Sequence, residues 1–215
     1  MGSDIESLEH EFHEVNFVLK TLQEVVGEGS GGIEVKTISA SEWQIYLEAV
    51  PILAASLIHA VEKIVALYKS NLEIKKLKRE LENNNLPEAV LKPLQDHIES
   101  AVKSEIRKIA DELVELYYKK KDEGRKNELK NQTSQALRYL ADRIDRGATI
   151  EVHAEPPEEP VEEGEAENPK AKKVAELRDL VAVVNKKMSS VTQLSRSDQP
   201  VLAIEYDKND KKINN

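Results

Sequence analysis

From Ser3 to Val26 the apolar residues Ile5, Leu8, Phe12, Val15, Leu19, Leu22 and Val26 recur at spacings of three and four, which places them on one stripe of an amphipathic helix. The stripe ends in GEGSGG, residues 27–32, a glycine-rich hinge with no side chains to hold a regular conformation. Beyond it the period changes from 3.6 to 2. Ile33, Val35 and Thr37 alternate with Glu34 and Lys36, and Trp43, Ile45 and Leu47 alternate with Gln44, Tyr46 and Glu48, so a β-hairpin turning near Ala40-Ser41 is predicted. A lone hairpin is marginal in water. The segment ATIEVHA, residues 148–154, repeats the Ile-Glu-Val pattern at Ile150 and Val152 and is expected to add a third strand.

Between hairpin and third strand the pattern is helical. Pro51 suits a first helical turn, where its missing N–H costs nothing, and no breaker follows until Asn83-Asn84-Asn85. Along this segment Leu57, Ala60, Ile64, Leu67, Asn71, Ile74, Lys78 and Leu81 keep alternating three and four spacing, a heptad seam with polar residues at Asn71 and Lys78. Leu86-Pro87 opens a second long helix, whose Leu91, Leu94, Ile98, Val102, Ile106, Ile109, Leu113 and Tyr117 form a stripe running into Lys119-Lys120-Lys121. The short asparagine loop makes the two helices antiparallel neighbours. After Gly124 a third pattern runs through Leu129, Leu137, Leu140 and Ile144 to Gly147, a C-terminal cap.

The C-terminal region starts again at Asn168-Pro169. Val174, Leu177, Val181, Val184, Met188 and Val191 follow a four-three rhythm, which predicts a detached amphipathic helix, with VLAIEY, residues 201–206, as a short closing strand. The fold class expected from these elements is α+β: a long antiparallel helical hairpin and further helices packed on a small, roughly three-stranded sheet, with a detached C-terminal helix. Its parts are an N-terminal helix at 1–26, the hinge at 27–32, a body at 33–154, a linker at 155–168 and the C-terminal helix and tail at 169–215.

Charge sharpens this division. The net charge of -9 splits unevenly, because residues 1–154 carry 21 basic and 27 acidic side chains, EPPEEPVEEGEAEN at 155–168 carries 7 acids and no base, and residues 169–215 carry 10 bases against 6 acids. The middle segment reads as a self-repelling spacer. The 215 residues, 40% hydrophobic, suffice for one sizeable core, and the absence of cysteine excludes disulfides, thiolate metal sites and cysteine nucleophiles. Neither a basic nor an apolar leader is visible in Met1-Gly2-Ser3-Asp4-Ile5-Glu6, so a cytoplasmic location is expected. The uncharged run Ala49–Val61 is shorter than the roughly 17–25 residues a spanning helix needs, so a stable membrane span is not expected.

Candidate chemistry is sparse. His10, His13 and Glu14 share one side of the first helix, but HEFHE is not H-E-x-x-H and offers no third ligand. No metal and no cofactor are expected. No nucleophile elbow or phosphate-binding glycine motif is present. The densest ionisable group is ADRIDRG, where Asp142, Arg143, Asp145 and Arg146 precede the expected third strand and His153. A pocket there would suit an enzyme or a small-ligand binder, while Asp142 and Arg146 at i, i+4 suit a simple surface pair. Basic clusters at Lys75, Lys76, Lys78 and Arg79 and at Lys119, Lys120, Lys121, Arg125 and Lys126 are diluted by neighbouring acids, which argues against nucleic acid.

The function expected on these grounds is a non-enzymatic interaction or scaffold protein. It would self-associate as a homo-oligomer through Ile64, Leu67, Asn71, Ile74 and Leu81, and present Val174, Leu177, Val181, Val184 and Met188 on a mobile segment to a protein partner. The alternatives are the ligand site at residues 142–153 and a membrane-apposed effector using residues 49–68.

Overall fold

The computed structural model describes residues 5–27, 34–39, 44–48, 51–83, 87–148, 150, 175–176, 178–179, 181–183, 186 and 201–202. Four helices dominate: α1 (Ile5–Val25), α2 (Pro51–Asn83), α3 (Glu88–Tyr117) and α4 (Glu123–Asp145). Between α1 and α2 lie the strands β1 (Glu34–Ser39) and β2 (Gln44–Glu48), which pair antiparallel with an irregularity between Val35 and Thr37.

The helix ends follow from local chemistry. Pro51 occupies the first position of α2, and the Asp122 side chain caps α4 by accepting from the Arg125 N–H at 3.0 Å. Gly147, at φ 91°, closes α4 in a left-handed conformation: its N–H reaches the Ile144 carbonyl while the Ala148 N–H reaches that of Arg143. This is the doubly hydrogen-bonded glycine cap, and an L side chain there would be strained.

The α+β expectation is overturned. The two strands contact each other but none of the helices, and they form a two-stranded ribbon rather than a platform. Ala148 and Ile150, placed in a third strand by their alternation, belong to no regular element. Ile150 instead packs on a core built from helices. Its apolar neighbours come from the helical bundle, so nothing requires a sheet to bury it. The fold is helical.

Three apolar clusters make that core. The largest joins Ala60, Ile64 and Tyr68 of α2 with Ile106, Ile109 and Leu113 of α3 and Leu137, Leu140 and Ile144 of α4. A second packs Val18 and Leu22 of α1 on Leu53, Ala136 and Tyr139, and a third packs Val25 on Val114, Tyr118 and Leu129. Fully burying side chains of this size stabilises by about 1.5–3 kcal/mol each. The N-terminal helix is therefore part of the bundle, lying mainly against α4. Its buried face runs through Glu14, Val18, Leu22 and Val25, whereas Phe12 and Val15 of the expected stripe are only half-buried.

The closing strand expected at the C-terminal end is also corrected. Ala175, Glu176, Arg178, Asp179, Val181, Ala182, Val183 and Lys186 are helical as expected, but Val181 is buried. Val201 and Leu202, expected in a closing strand, form a bend whose side chains enter the largest core cluster. The chain returns to the bundle because those two aliphatics find a better environment there than in water. Val174, Leu177, Val184, Met188, His153 and the linker at 155–168 lie outside the described residues.

Candidate functional site

The last turn of α4 brings the ionisable residues of ADRIDRG to three different neighbours. Asp142 and Arg146 pair along the helix surface at 3.0 Å. Arg143 crosses to α1, where Nη1 donates to Glu11 Oε1 at 2.6 Å and Nη2 donates to Glu14 Oε2. His10 Nε2 stands 3.2 Å from the other Glu14 oxygen. Glu14 is 6% exposed, and burial pushes its carboxyl pKa up while the charges of Arg143 and His10 pull it back. The Arg143 Nε is buried without a hydrogen-bond partner, so this clamp is only partly satisfied.

Asp145 faces the third direction. Its two carboxylate oxygens accept the backbone N–H groups of Val201, at 2.5 Å, and Leu202, at 2.9 Å. Its charge is felt by two α2 side chains. Burial chiefly raises the Tyr68 hydroxyl pKa, with Asp145 adding to the effect, while burial lowers that of the Lys75 ammonium and Asp145 opposes it. An anion at a helix C-terminus opposes the helix dipole, so the tail amides supply what the helix itself withholds.

The four described residues of this junction are thus engaged with protein groups, and they do not converge on a common point. His10 and Glu14 meet as expected of neighbours on one helix, but Glu14 serves Arg143. Among the described residues no group of three or more histidine, aspartate or glutamate side chains could hold a metal ion.

The seam residues divide along α2. Ile64 is fully buried in the largest cluster and Leu67 is half-buried against it. Asn71 is buried, but its Nδ2 donates to the Leu67 carbonyl at 2.9 Å one turn back along its own helix. Past Asn71 no described residue of α2 is buried: Ile74 is half-buried, while Leu77 and Leu81 are 58% and 37% exposed. The facing start of α3 is similar, with Ala89, Lys92, Pro93, Asp96 and His97 all exposed before Ile98 turns inward. Leu72 still packs against the largest cluster, and the eleven residues 73–83 that follow span about 16 Å at 1.5 Å per residue, with Ile74, Lys75 and Lys78 half-buried among exposed neighbours. Leu77 was not singled out by the heptad reading, although its spacing of three from Ile74 and four from Leu81 carries the signal.

Elsewhere the charges tie helices together. Arg125 of α4 holds both oxygens of Glu24 of α1 at 2.6 Å, which lowers the Glu24 carboxyl pKa. Glu112 of α3 meets Lys63 at 2.8 Å and His59 at 3.3 Å on α2. Glu115 takes Lys126 and Lys130, and hydrogen bonds from the two ammonium groups hold its carboxyl at about 2. Within the second basic cluster, Arg125 and Lys126 are therefore spent on intramolecular pairs. Among the described residues one helix, Pro51–Leu81, is long and apolar enough to cross a membrane by length and composition, and 56% of its apolar window is buried inside the bundle.

Comparison with protein-family models, with curated proteins and with solved structures finds no match.

Proposed function

We propose that this chain is a non-enzymatic interaction protein, a helical bundle whose α2–α3 hairpin extends beyond the core and associates with a second copy. The observation that carries the reading is the pair Leu77 and Leu81, exposed one turn apart on the part of α2 that the bundle leaves uncovered. Two large aliphatics at i, i+4 make a stripe suited to another helix. Glu73, Lys76, Arg79 and Glu80 flank it, all exposed and of both signs. A face of mixed charge pairs with itself in an antiparallel, two-fold arrangement, because each acid then meets a base of the other copy. The self-association seam accordingly reduces to the distal half of α2. Ile64 and Asn71 serve the inside of the molecule.

Sedimentation velocity tests this reading. The wild-type chain is expected to show concentration-dependent association, and L77K/L81K is expected to be monomeric with unchanged helix content. A wild-type monomer at all practical concentrations, or a variant that still associates, overturns it.

A further inference from the structure

Val201 and Leu202 are 1% and 2% exposed, among the most deeply buried side chains described, yet they belong to no helix or strand. They reach the core 56 positions along the chain from the carboxylate that holds Val201. The two described residues of this segment enter the largest cluster, which includes Tyr68, Leu140 and Ile144, and their described polar anchorage is the pair of hydrogen bonds to Asp145.

That anchorage reads backbone rather than side-chain identity. A carboxylate accepting two consecutive N–H groups recognises any segment that offers both amides, and an apolar recess beside it selects two adjacent aliphatic side chains. We propose that the recess at the end of α4 is a peptide-binding site for segments carrying two adjacent aliphatic residues with free backbone N–H groups, and that Val201-Leu202 is its removable internal occupant. Asp145 is the reading group, and the chain's own tail is the tethered competitor. The site is separate from the exposed stripe on α2, and its test does not depend on association there.

A tethered segment has an effective concentration in the millimolar range, so the unaltered chain hides the site from free ligands. In the full-length V201S/L202S variant the occupant loses its apolar side chains, and the recess becomes available. The probe is a fluorescent peptide with the sequence of residues 196–206, RSDQPVLAIEY. Anisotropy is expected to show saturable binding to the variant and binding at least about tenfold weaker to the wild type. Adding Asp145→Asn is expected to weaken capture by about tenfold, by removing the charge that strengthens both hydrogen bonds. A peptide with proline in place of the Val201 residue is expected not to bind, because it lacks the first N–H. Equal binding to wild type and variant, indifference to the proline peptide, or no binding to a variant with native circular dichroism overturns the proposal.

Should V201S/L202S fail to fold, hydrogen exchange on the unaltered chain decides. A removable occupant requires the Val201 and Leu202 amides to exchange faster than those of Leu137 and Leu140, through an opening that leaves α4 intact. Exchange of all four at one common slow rate would make the segment inseparable from the bundle and sink the idea.

Discussion

Replacing Arg143 by methionine keeps the aliphatic stem and removes the guanidinium that holds Glu11 and Glu14. The side chains of Arg143, Glu11 and Glu14 are 16%, 15% and 8% exposed, so both carboxylates lose their cation where water reaches them poorly. Breaking a fully buried pair from one side costs about 3–5 kcal/mol, and the residual exposure here favours the lower end, about 3 kcal/mol. For a chain of this size that corresponds to a melting temperature lower by about 6–12 °C. The penalty has a definite pH dependence. Because burial raises the Glu14 carboxyl pKa above its usual 4.5, the folded state binds the proton more tightly than the unfolded chain, and Glu14 favours folding increasingly as pH falls toward that value. Without Arg143 the strongest influence lowering this pKa is gone, so it rises further. The deficit of Arg143→Met is therefore expected to be larger near pH 7 than near pH 5, and to shrink in a Glu14→Gln background. Thermal melts followed by circular dichroism measure it. A deficit under about 1 kcal/mol, or one equal at both pH values, would show that the clamp is solvated and refute the reasoning.

Two further expectations follow from the same structure. Carbon-detected NMR titration should find the Glu115 carboxylate still ionised well below pH 4.5, with its midpoint at about 2. The stability it contributes is present above 4.5 and lost as pH falls toward that midpoint, and an ordinary titration near 4.5 would show that Lys126 and Lys130 do not hold it in solution. Gly147→Ala should cost about 1 kcal/mol in urea denaturation because φ is 91°, whereas Gly124→Ala, in the first turn of α4 with only the Asp122 carboxylate 3.4 Å from the added carbon, should be neutral or stabilising.

Helix existence was legible in the chain because three- and four-residue spacing reports burial directly. Pro51, Gly147 and the asparagine run marked boundaries that the backbone respects. What periodicity could not supply was the neighbour. Ile150 alternates like a strand residue, but alternation over so few positions says only that one side is apolar, and the apolar surface it meets is helical. Asn71 occupies a seam position, but its amide donates to the Leu67 carbonyl of its own helix, a local bond that a heptad pattern does not report. Glu14 was invisible as an inward residue because a carboxylate on a buried face makes sense only once Arg143 is known to stand opposite. Val201 and Leu202 read as one more short strand, since nothing local marks Asp145 as their acceptor.

α4 shows why charge gathers at the candidate junction. Its sequence, EGRKNELKNQTSQALRYLADRID, carries few large apolar residues, yet it packs on α1, α2 and α3, as each helix of the bundle does on the other three. It can do so because Thr133, Ser134, Ala136 and Ala141 are buried alongside Leu129, Leu137, Leu140 and Ile144, and small side chains let neighbouring helices approach on more than one face. The α4 charges that reach α1, Arg125 and Arg143, lie toward its two ends. There they act on register. Arg125 grips Glu24 at one end of the α1–α4 contact and Arg143 grips Glu11 and Glu14 at the other. Sliding α1 by one turn moves every partner about 5.4 Å, beyond hydrogen-bond reach, and strands a buried carboxylate at the Arg143 end. Apolar contacts of similar size would tolerate such a slip far better. The dense charge that resembled a catalytic cluster is better explained as the device that selects one alignment of α1 on α4, which leaves Asp145, the one residue of the group turned toward the tail, as the member with something to bind.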